Sequence, residues 1–305
     1  MSEGSNVAGG YIVPQEFAND VIDLREMYGA ARRVAKVVPM GEETRLVPRR
    51  RSGLTAYWVG EASAITASDK NWDQVQLVAK KLGCLALFSS ELNEDAMVNL
   101  GDDLAGEIAY AFAYAEDSAY FNGDGTSTYG GITGCREKLK GVSGTIANIK
   151  GLKVGTGNAY SELVLADFHG VIAKLPLYAR NGARWVVSST FFDTVMHPLQ
   201  TAAGGNTVVD IANGGQARFL GYPVEFAQVM PTAEANSQVC ALLGNFMLGS
   251  TIGDRRQITI ALSSEYKFAE DQLAIKGTER LDMVVHDVGD TSVAGPIVGL
   301  ITAAA

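Results

Sequence analysis

The sequence is poor in the residues and apolar runs that mark several classes of protein. Its three cysteines, Cys84, Cys135 and Cys240, lie far apart and form no CxxC pair, which excludes a disulfide framework and a zinc knuckle. No apolar run approaches the ~18 to 20 residues of a membrane-spanning helix. The N-terminus, MSEGSNVAGG, lacks the basic and apolar regions of a signal peptide. We therefore expect no membrane contact and a protein made and kept in the cytoplasm.

Acidic residues outnumber basic residues in the sequence. Lys and Arg total 25 against 34 Asp and Glu, a net charge of -9, so no global basic field draws the chain to nucleic acid. This charge balance argues against a DNA-binding module. Any contact with DNA should be weak, electrostatic and without sequence specificity.

One segment departs from this acidic average. Between Arg25 and Arg51 there are eight basic and three acidic residues, a local charge of +5. Opposite patches on identical chains attract in a head-to-tail contact, so the segment predicts contact with a neighbouring copy. A solvated basic surface is the alternative. The candidate subunit-interface residues are Arg32, Arg33, Arg49, Arg50 and Arg51.

Catalytic motifs are also missing. The sequence contains no GxSxG, HExxH or complete GxGxxG motif. It has three histidines, each with an aspartate close in sequence. The pairs are Asp167 with His169, Asp193 with His197, and Asp287 with His286. Such neighbours arise often by chance, so we predict no enzyme, no cofactor and no metal site. A soluble hydrolase that uses the first or second pair is the alternative.

The glycine-rich stretch AYFNGDGTSTYGGITG, residues 119–134, could be a phosphate or metal loop. It carries no GK[ST] signature and no helix is evident after it, so the geometry of a P-loop is missing. It also lacks the alternating acids and closing glutamate of an EF-hand. We predict instead that it ends a helix, with Gly123 in the left-handed conformation and Asp124-Gly125 in a turn.

Hydrophobic periodicity predicts a mixed fold. Apolar residues recur at helical spacing from Met97 to Phe121, which predicts a helix roughly 37 Å long. Alternation between Glu43 and Phe88 predicts a long two-stranded hairpin with a small polar tip. Helices and short strands alternate after residue 160, and strand-like runs after Val239 should complete the sheet begun before the long helix.

Several separated motifs then point to one family. They are SEGSNVAGGYIVP (2–14), YWVGE (57–61), LFSSELNED (87–95), FNGDGTSTYGGI (121–132), LGYPVEFAQVMP (220–231), LLGNF (242–246) and FAEDQLAIKGTERLDMVVHD (268–287). In this order they resemble the major capsid proteins of tailed phages of the Hong Kong 97 type. The resemblance covers nearly the whole chain.

The resemblance implies an α+β capsid fold with four parts. These are an N-terminal arm (1–40), an extended β-hairpin loop (41–75), a peripheral domain with a long spine helix (76–134 and 256–305) and an axial domain (135–255). It also implies a structural protein of the virion that is assembled in the host cytoplasm. Such subunits form hexamers and pentamers in an icosahedral shell around double-stranded DNA.

The resemblance further implies possible partners and two departures. The partners are a scaffolding protein or segment, a maturation protease, a portal and a decoration protein. Scaffolding segments often precede the GGYIVP region, yet Met1 lies just ahead of it. The matching loop lacks the lysine of the type member's isopeptide cross-link, so no such bond is expected, although Glu279 matches the assisting glutamate. An encapsulin-like bacterial compartment that encloses cargo enzymes is the alternative function.

Overall fold

The computed structural model describes residues 28–50, 53–91, 100–202 and 217–304. The GGYIVP motif and the segment around it lie outside these residues. The first half of the described chain contains a short helix, four strands and a long helix. They are α1 (Ala30–Val34), β1 (Lys36–Pro39), β2 (Thr44–Arg50), β3 (Trp72–Val78), β4 (Lys80–Ser89) and α2 (Leu100–Asn122).

The second half alternates helices and strands, as its sequence pattern predicts. The elements up to residue 202 are α3 (Cys135–Lys140), β5 (Leu152–Val154), α4 (Leu165–Lys174), α5 (Leu177–Arg180), β6 (Arg184–Val187), α6 (Ser189–Phe191), a π-helical turn (Phe192–Met196) and α7 (His197–Ala202). Those after residue 217 are β7 (Arg218–Phe219), β8 (Tyr222–Phe226), β9 (Val239–Gly244), α8 (Phe246–Gly249), β10 (Ser250–Lys267), β11 (Gln272–Val285) and β12 (Ile297–Ile301).

A four-stranded sheet carries the long helix. Its strand order is β1, β10, β11, β4, with β1 parallel to β10 and the other pairs antiparallel. On one face, Ile108 and Phe112 of α2 pack against Phe88 and Ile275. Gly277 permits this approach, because a Cβ there would lie 2.3 Å from Ile108 Cγ2. The expected return of the C-terminal strands to the sheet begun before the helix is thus confirmed for β10 and β11.

A six-stranded sheet forms the second body of secondary structure. Its order is β5, β12, β9, β6, β8, β7, and β9 is buried along its whole length, as expected for an apolar strand with both faces covered. The core on one side contains Trp185, Phe168 and Phe219, whose ring centroids lie 5.0 to 6.0 Å apart in edge-to-face contacts. This core is self-contained, since all three side chains are fully buried.

The predicted hairpin exists but is shorter than expected. Strands β2 and β3 form an antiparallel two-stranded sheet. The prediction of two strands extending to residue 88 is wrong, because the chain leaves the hairpin at Ala79 and continues as β4, paired with β11. Ala79 N–H donates to Glu43 O at this point, and Ala79 is buried beside Met40 and Leu77. Alternation continues through residue 79, so the pattern could not reveal the change of partner strand.

The glycine-rich stretch ends α2 by a different route from the predicted one. Gly123 does not have positive φ, so the predicted left-handed conformation is wrong. A Cβ at Gly123 would lie 2.5 Å from the carbonyl oxygens of Ala119 and Ile132, so glycine is required by close backbone approach. The predicted turn is present, with Thr126 N–H donating to Asp124 Oδ1 at 2.9 Å. The expectation that no helix follows is also wrong, because α3 begins directly after residue 134.

Candidate assembly surfaces

The part of the extended loop that lies between β2 and β3, residues 53–71, presents apolar side chains to solvent. Trp58 is as exposed to solvent as a free tryptophan side chain would be. Ile65 is 82% exposed and Leu54 is 71% exposed. None of residues 53–71 lies in a helix or strand. Soluble proteins rarely leave such apolar side chains together in water, and where they do the surface usually meets a partner.

The loop has few contacts with its own chain. Thr55 N–H donates to Ser68 Oγ, and Ser68 Oγ donates back to Thr55 O, each at 3.1 Å. One further backbone hydrogen bond closes a turn from Ser63 N–H to Gly60 O. Three local hydrogen bonds hold the shape of a loop but provide no surface on which its apolar side chains could be buried.

The base of the hairpin is held by Arg49. Its guanidinium donates two hydrogen bonds to the carboxylate of Asp73 on the opposite strand and one to the carbonyl of His286. Its pKa is raised, chiefly by the hydrogen bond to Asp73. These contacts join the hairpin to the end of β11. The side chain of Arg50, by contrast, is exposed and forms neither hydrogen bonds nor ion pairs with the described part of the chain.

The start of helix α1 is held in place by a buried aspartate. The carboxylate of Asp117, on α2, accepts backbone hydrogen bonds from Gly29, Ala30 and Ala31 at 2.7 to 3.0 Å. These are N–H groups at the start of α1, which have no partner inside their own helix. Asp117 is fully buried, and burial raises its pKa, although these hydrogen bonds act in the opposite direction.

Arg32 on α1 forms a buried ion cluster next to this aspartate. Its guanidinium contacts both oxygens of Glu116 at 2.6 and 2.7 Å, Glu279 Oε1 at 2.6 Å and Asp254 Oδ2 at 3.2 Å. The pKa of Arg32 is raised, first by its hydrogen bond to Glu116. Glu279 is 1% exposed; burial and then the neighbouring Glu116 raise its pKa to about 8.

The five arginines singled out from the sequence therefore lie in different surroundings. Arg32 is in the buried cluster, Arg33 pairs with Glu225 at 2.5 Å, and Arg49 pairs within the hairpin. Arg50 is exposed, and Arg51 lies outside the described residues. These contacts are within one chain, so a role for any of the five between subunits stays a prediction.

Sequence reasoning singled out Glu279 by its resemblance to the assisting glutamate, but it did not find the cluster. Glu116, Asp254 and Glu279 lie 84 to 247 positions from Arg32 in the chain. No spacing rule links residues so far apart. A weak signal was the adjacent pair Glu116-Asp117 within an otherwise apolar stretch of the predicted helix. The structure assigns one of these acids to the ion cluster and the other to the backbone of α1.

The histidine pairs do not form catalytic arrangements in the described residues. The carboxylate of Asp167 accepts hydrogen bonds from Thr156 and Val164 and pairs with Lys153 at 3.2 Å, while His169 is exposed. Asp193 and His197 are both exposed. The described part of the chain holds no group of three or more His, Cys, Asp or Glu side chains that could bind a metal ion.

His286 is the one half-buried histidine of the three. Its Nε2 lies 3.3 Å from Thr251 Oγ1, and its Nδ1 is buried without a hydrogen-bond partner in the described residues. Burial lowers its pKa, and the nearby Arg49 acts in the same direction. It borders a polar cleft of about 750 Å³ beside Arg50 and Lys138. Among the described residues, the hydroxyl of Thr251 at this marginal distance is the one nucleophilic group hydrogen-bonded to it.

No helix among the described residues is both long and apolar enough to cross a membrane.

Comparison with known sequences identifies proteins that are similar to this chain. The phage capsid family matches residues 9–289. The major capsid protein of Klebsiella oxytoca phage phiKO2 is 29% identical over 120 residues, which are 39% of this chain and 28% of that protein. The probable major capsid protein gp17 of Mycobacterium phage L5 is 24% identical over 202 residues, 66% of this chain and 57% of that protein. Each match thus spans less than two thirds of the relative's own length.

Structural comparison covers the whole chain. A capsid chain of a native GTA particle superposes with a TM-score of 0.76 at 22% identity, over 99% of this chain and 100% of that one. A chain from Mycobacterium phage Bobi gives a TM-score of 0.72 at 17% identity, over 99% of both chains. The expected mixed helix-and-sheet fold of the Hong Kong 97 type is confirmed. Because the family match also spans most of the sequence, this chain belongs to the phage capsid family.

Proposed function

We propose that this chain is a major capsid protein that assembles through hexamers and pentamers into an icosahedral shell around double-stranded phage DNA. The observation that carries the proposal, beside the family match, is the extended loop. Its apolar side chains, led by Trp58, are not covered by the described part of their own chain. Laid over a neighbouring subunit, each loop would bury that apolar area, and many such modest contacts would add into a stable closed shell.

The division of the subunit in this proposal follows its sheets. The four-stranded sheet with α2 as the spine helix is the peripheral domain, and the six-stranded sheet is the axial domain. Strand β12, residues 297–301, goes with the axial domain because it pairs with β5 and β9. Residues 1–40 form the N-terminal arm, which contributes strand β1 to the four-stranded sheet, and residues 41–75 form the extended loop.

The remaining parts of the proposal concern partners and place. The shell belongs to the virion and is assembled in the cytoplasm of the bacterial host. A scaffolding protein or segment, a maturation protease, a portal and a decoration protein are its expected partners. The excess of acidic residues favours weak contact with packaged DNA. The role is structural, without catalysis.

Particle mass tests the function directly. Purified full-length chain should give megadalton particles, or discrete hexamers and pentamers, by light scattering, with shells or rings in negative-stain images. A persistent monomer or dimer across several salt and protein concentrations would contradict the proposal. Shells that contain a stoichiometric cargo enzyme would instead support an encapsulin-like compartment.

Among the candidate arginines, we propose Arg50 and Arg51 as the contacts to a neighbouring subunit. Arg49 is set aside because a reversed charge there would face Asp73 within the hairpin. The double change Arg50→Glu and Arg51→Glu should leave the subunit folded, because Arg50 is exposed and an exposed charge contributes little to stability. Shell yield should fall at least ~tenfold, since like charges would then meet across the contact.

A control variant distinguishes this contact from a general effect of net charge. Lys150 and Arg218 are exposed and lie outside the hairpin and its loop, so Lys150→Glu with Arg218→Glu changes the net charge equally. Light scattering and circular dichroism on both variants make the comparison. Normal shells from the loop variant, or equal loss from both variants, would overturn the assignment.

A further inference from the structure

The cluster around Arg32 holds more carboxylates than its one cation can neutralise. If all four side chains were ionised, three negative charges would face one guanidinium in a largely buried site. Glu116 is 5% exposed and Glu279 is 1% exposed. A net charge of this kind is costly away from water, and paired carboxylates relieve it by sharing a proton.

Two carboxylate oxygens in the cluster also indicate that a proton or a positive charge is missing. Glu279 Oε2 and Asp254 Oδ1 are buried and have no hydrogen-bond partner among the described residues. A carboxylate oxygen that is buried without a donor is unfavourable, whereas a protonated carboxyl group supplies its own donor. Glu279 lies beside Glu116 on the adjacent α2, so a proton held on Glu279 can be donated to that neighbour.

The other charged groups near the cluster are paired elsewhere. On α1, Arg33 binds Glu225, and on α2, Asp117 binds backbone N–H groups. The remaining neighbours and their partners are Arg255 with Met40 O, Arg256 with Thr278 Oγ1, Arg280 with Glu43, and Lys80 with Asp282. Lys81 borders the cleft beside Glu116 but is exposed. Within the described residues, no second cation enters the buried cluster.

The cluster joins three parts of the subunit at one point. Arg32 lies on α1, Glu116 on the long helix α2, and Asp254 and Glu279 on the paired strands β10 and β11. Since α1 has only five residues, it has little stability of its own. It is held by the burial of Ala30, Ala31 and Val34 in the core, by Asp117 and by the cluster. The state of the cluster therefore contributes to how firmly this part of the N-terminal arm is held.

We propose that Arg32 and the carboxyl groups of Glu116, Asp254 and Glu279 form a proton-dependent latch that holds residues 28–35 against the body of the subunit. With one proton shared between Glu116 and Glu279, the guanidinium bridges both glutamates. When that proton is lost, the two carboxylates repel each other, the bridge loosens and the start of α1 opens more often. The latch goes beyond shell formation and exists in the single subunit.

The direction of the pH dependence follows from the native pKa of Glu279. That pKa lies at about 8, above the ordinary glutamate value near 4.5, so the folded state binds more protons than the unfolded state between these limits. The contribution of Glu279 is fully present below about pH 4.5. It declines as the pH rises and is lost as the pH passes about 8.

Hydrogen–deuterium exchange of the full-length chain tests the latch. Protection factors for peptides spanning residues 28–35, corrected for intrinsic exchange rates, should fall about tenfold between roughly pH 6 and pH 9. In the variant Glu279→Gln the change should be less than about twofold. Its amide cannot ionise, yet its oxygen can accept from Arg32 and its NH₂ group can donate to Glu116.

The matched control is Glu225→Gln, which removes the acidic partner of Arg33 on the same segment. It should lower protection at every pH but retain the wild-type pH dependence. A wild-type profile that is flat from about pH 6 to 9 overturns the latch, whether or not Glu279→Gln folds. The same pH dependence in a folded Glu279→Gln also overturns it, because the titrating group must then lie elsewhere.

Discussion

The six-stranded sheet and the projecting hairpin differ in where their large apolar side chains find contacts. Of the three tryptophans, Trp185 lies in the sheet and is fully buried, whereas Trp72 is 60% exposed on β3 and Trp58 is completely exposed in the extended loop. The core of the sheet region buries its large apolar side chains within one chain. The hairpin region leaves its two tryptophans largely in water, which is typical of a surface that contacts a partner. The two regions therefore differ in whether the single chain is enough to bury their tryptophans.

The largest expected effect comes from breaking the self-sufficient side of this comparison. Trp185→Ala should lower the free energy of unfolding by ~3–5 kcal/mol, because it empties a packed site between Phe168 and Phe219. It also removes the indole hydrogen bond to Phe219 O. Urea denaturation followed by circular dichroism measures the change. The control Trp72→Ala should cost less than about 1 kcal/mol, and equal costs would refute the distinction.

An intermediate effect is expected where the two regions meet, at the end of α2. Gly134→Ala would place a Cβ 2.7 Å from Gly123 N and 2.8 Å from Tyr120 O. Backbone atoms cannot move aside as a flexible side chain can, so the variant should lose ~1–3 kcal/mol of stability. Gly144→Ala is the control, since a Cβ there meets nothing within 4 Å. Thermal unfolding of both should show a lower midpoint for Gly134→Ala alone.

The smallest effect on folding, together with a loss of assembly, is expected in the extended loop. Trp58→Ala should change the free energy of unfolding by less than about 0.5 kcal/mol, because Trp58 is fully exposed in the subunit. Shell yield, measured by sedimentation, should fall severalfold because a large apolar contact is lost between copies. Ser63→Ala in the same loop should assemble normally. Full shell yield from Trp58→Ala would show that another surface carries the contact.

Elements with strong local patterns could be predicted from the sequence. The long helix was expected from Met97 to Phe121 and is described from Leu100 to Asn122, because its apolar residues recur every three or four positions. The alternation of helices and short strands after residue 160 was predicted from similar patterns, and the helix α4 and the buried strand β6 are two of its elements. In each element the core-facing apolar residues lie close together in the sequence, so their spacing is visible within a short stretch of chain.

Features that depend on distant residues could not be predicted in this way. The partner of β4 is set by β11, almost 200 positions later, and alternation alone cannot name a partner. The basic residues near the N-terminus were interpreted as surface charges, since arginine is usually exposed. Arg32 is instead surrounded by acids from three other elements. Local composition describes how much charge a segment carries but not what the fold brings to it.

The close approach of the backbone at Gly123 and Gly134 also has a consequence for protein engineering. Gly134 N–H donates to Gly123 O at 2.8 Å, and Gly125 N–H donates to Ile132 O at 3.0 Å. These two hydrogen bonds hold together the two ends of the ten-residue loop between the glycines, and we call this closed base of the loop its neck. The residues from 124 to 128 are exposed. Because the neck is fixed by its own backbone, added length at the tip costs only the slowly growing entropy of a longer loop. This loop is therefore the natural place to insert a foreign peptide into the folded subunit.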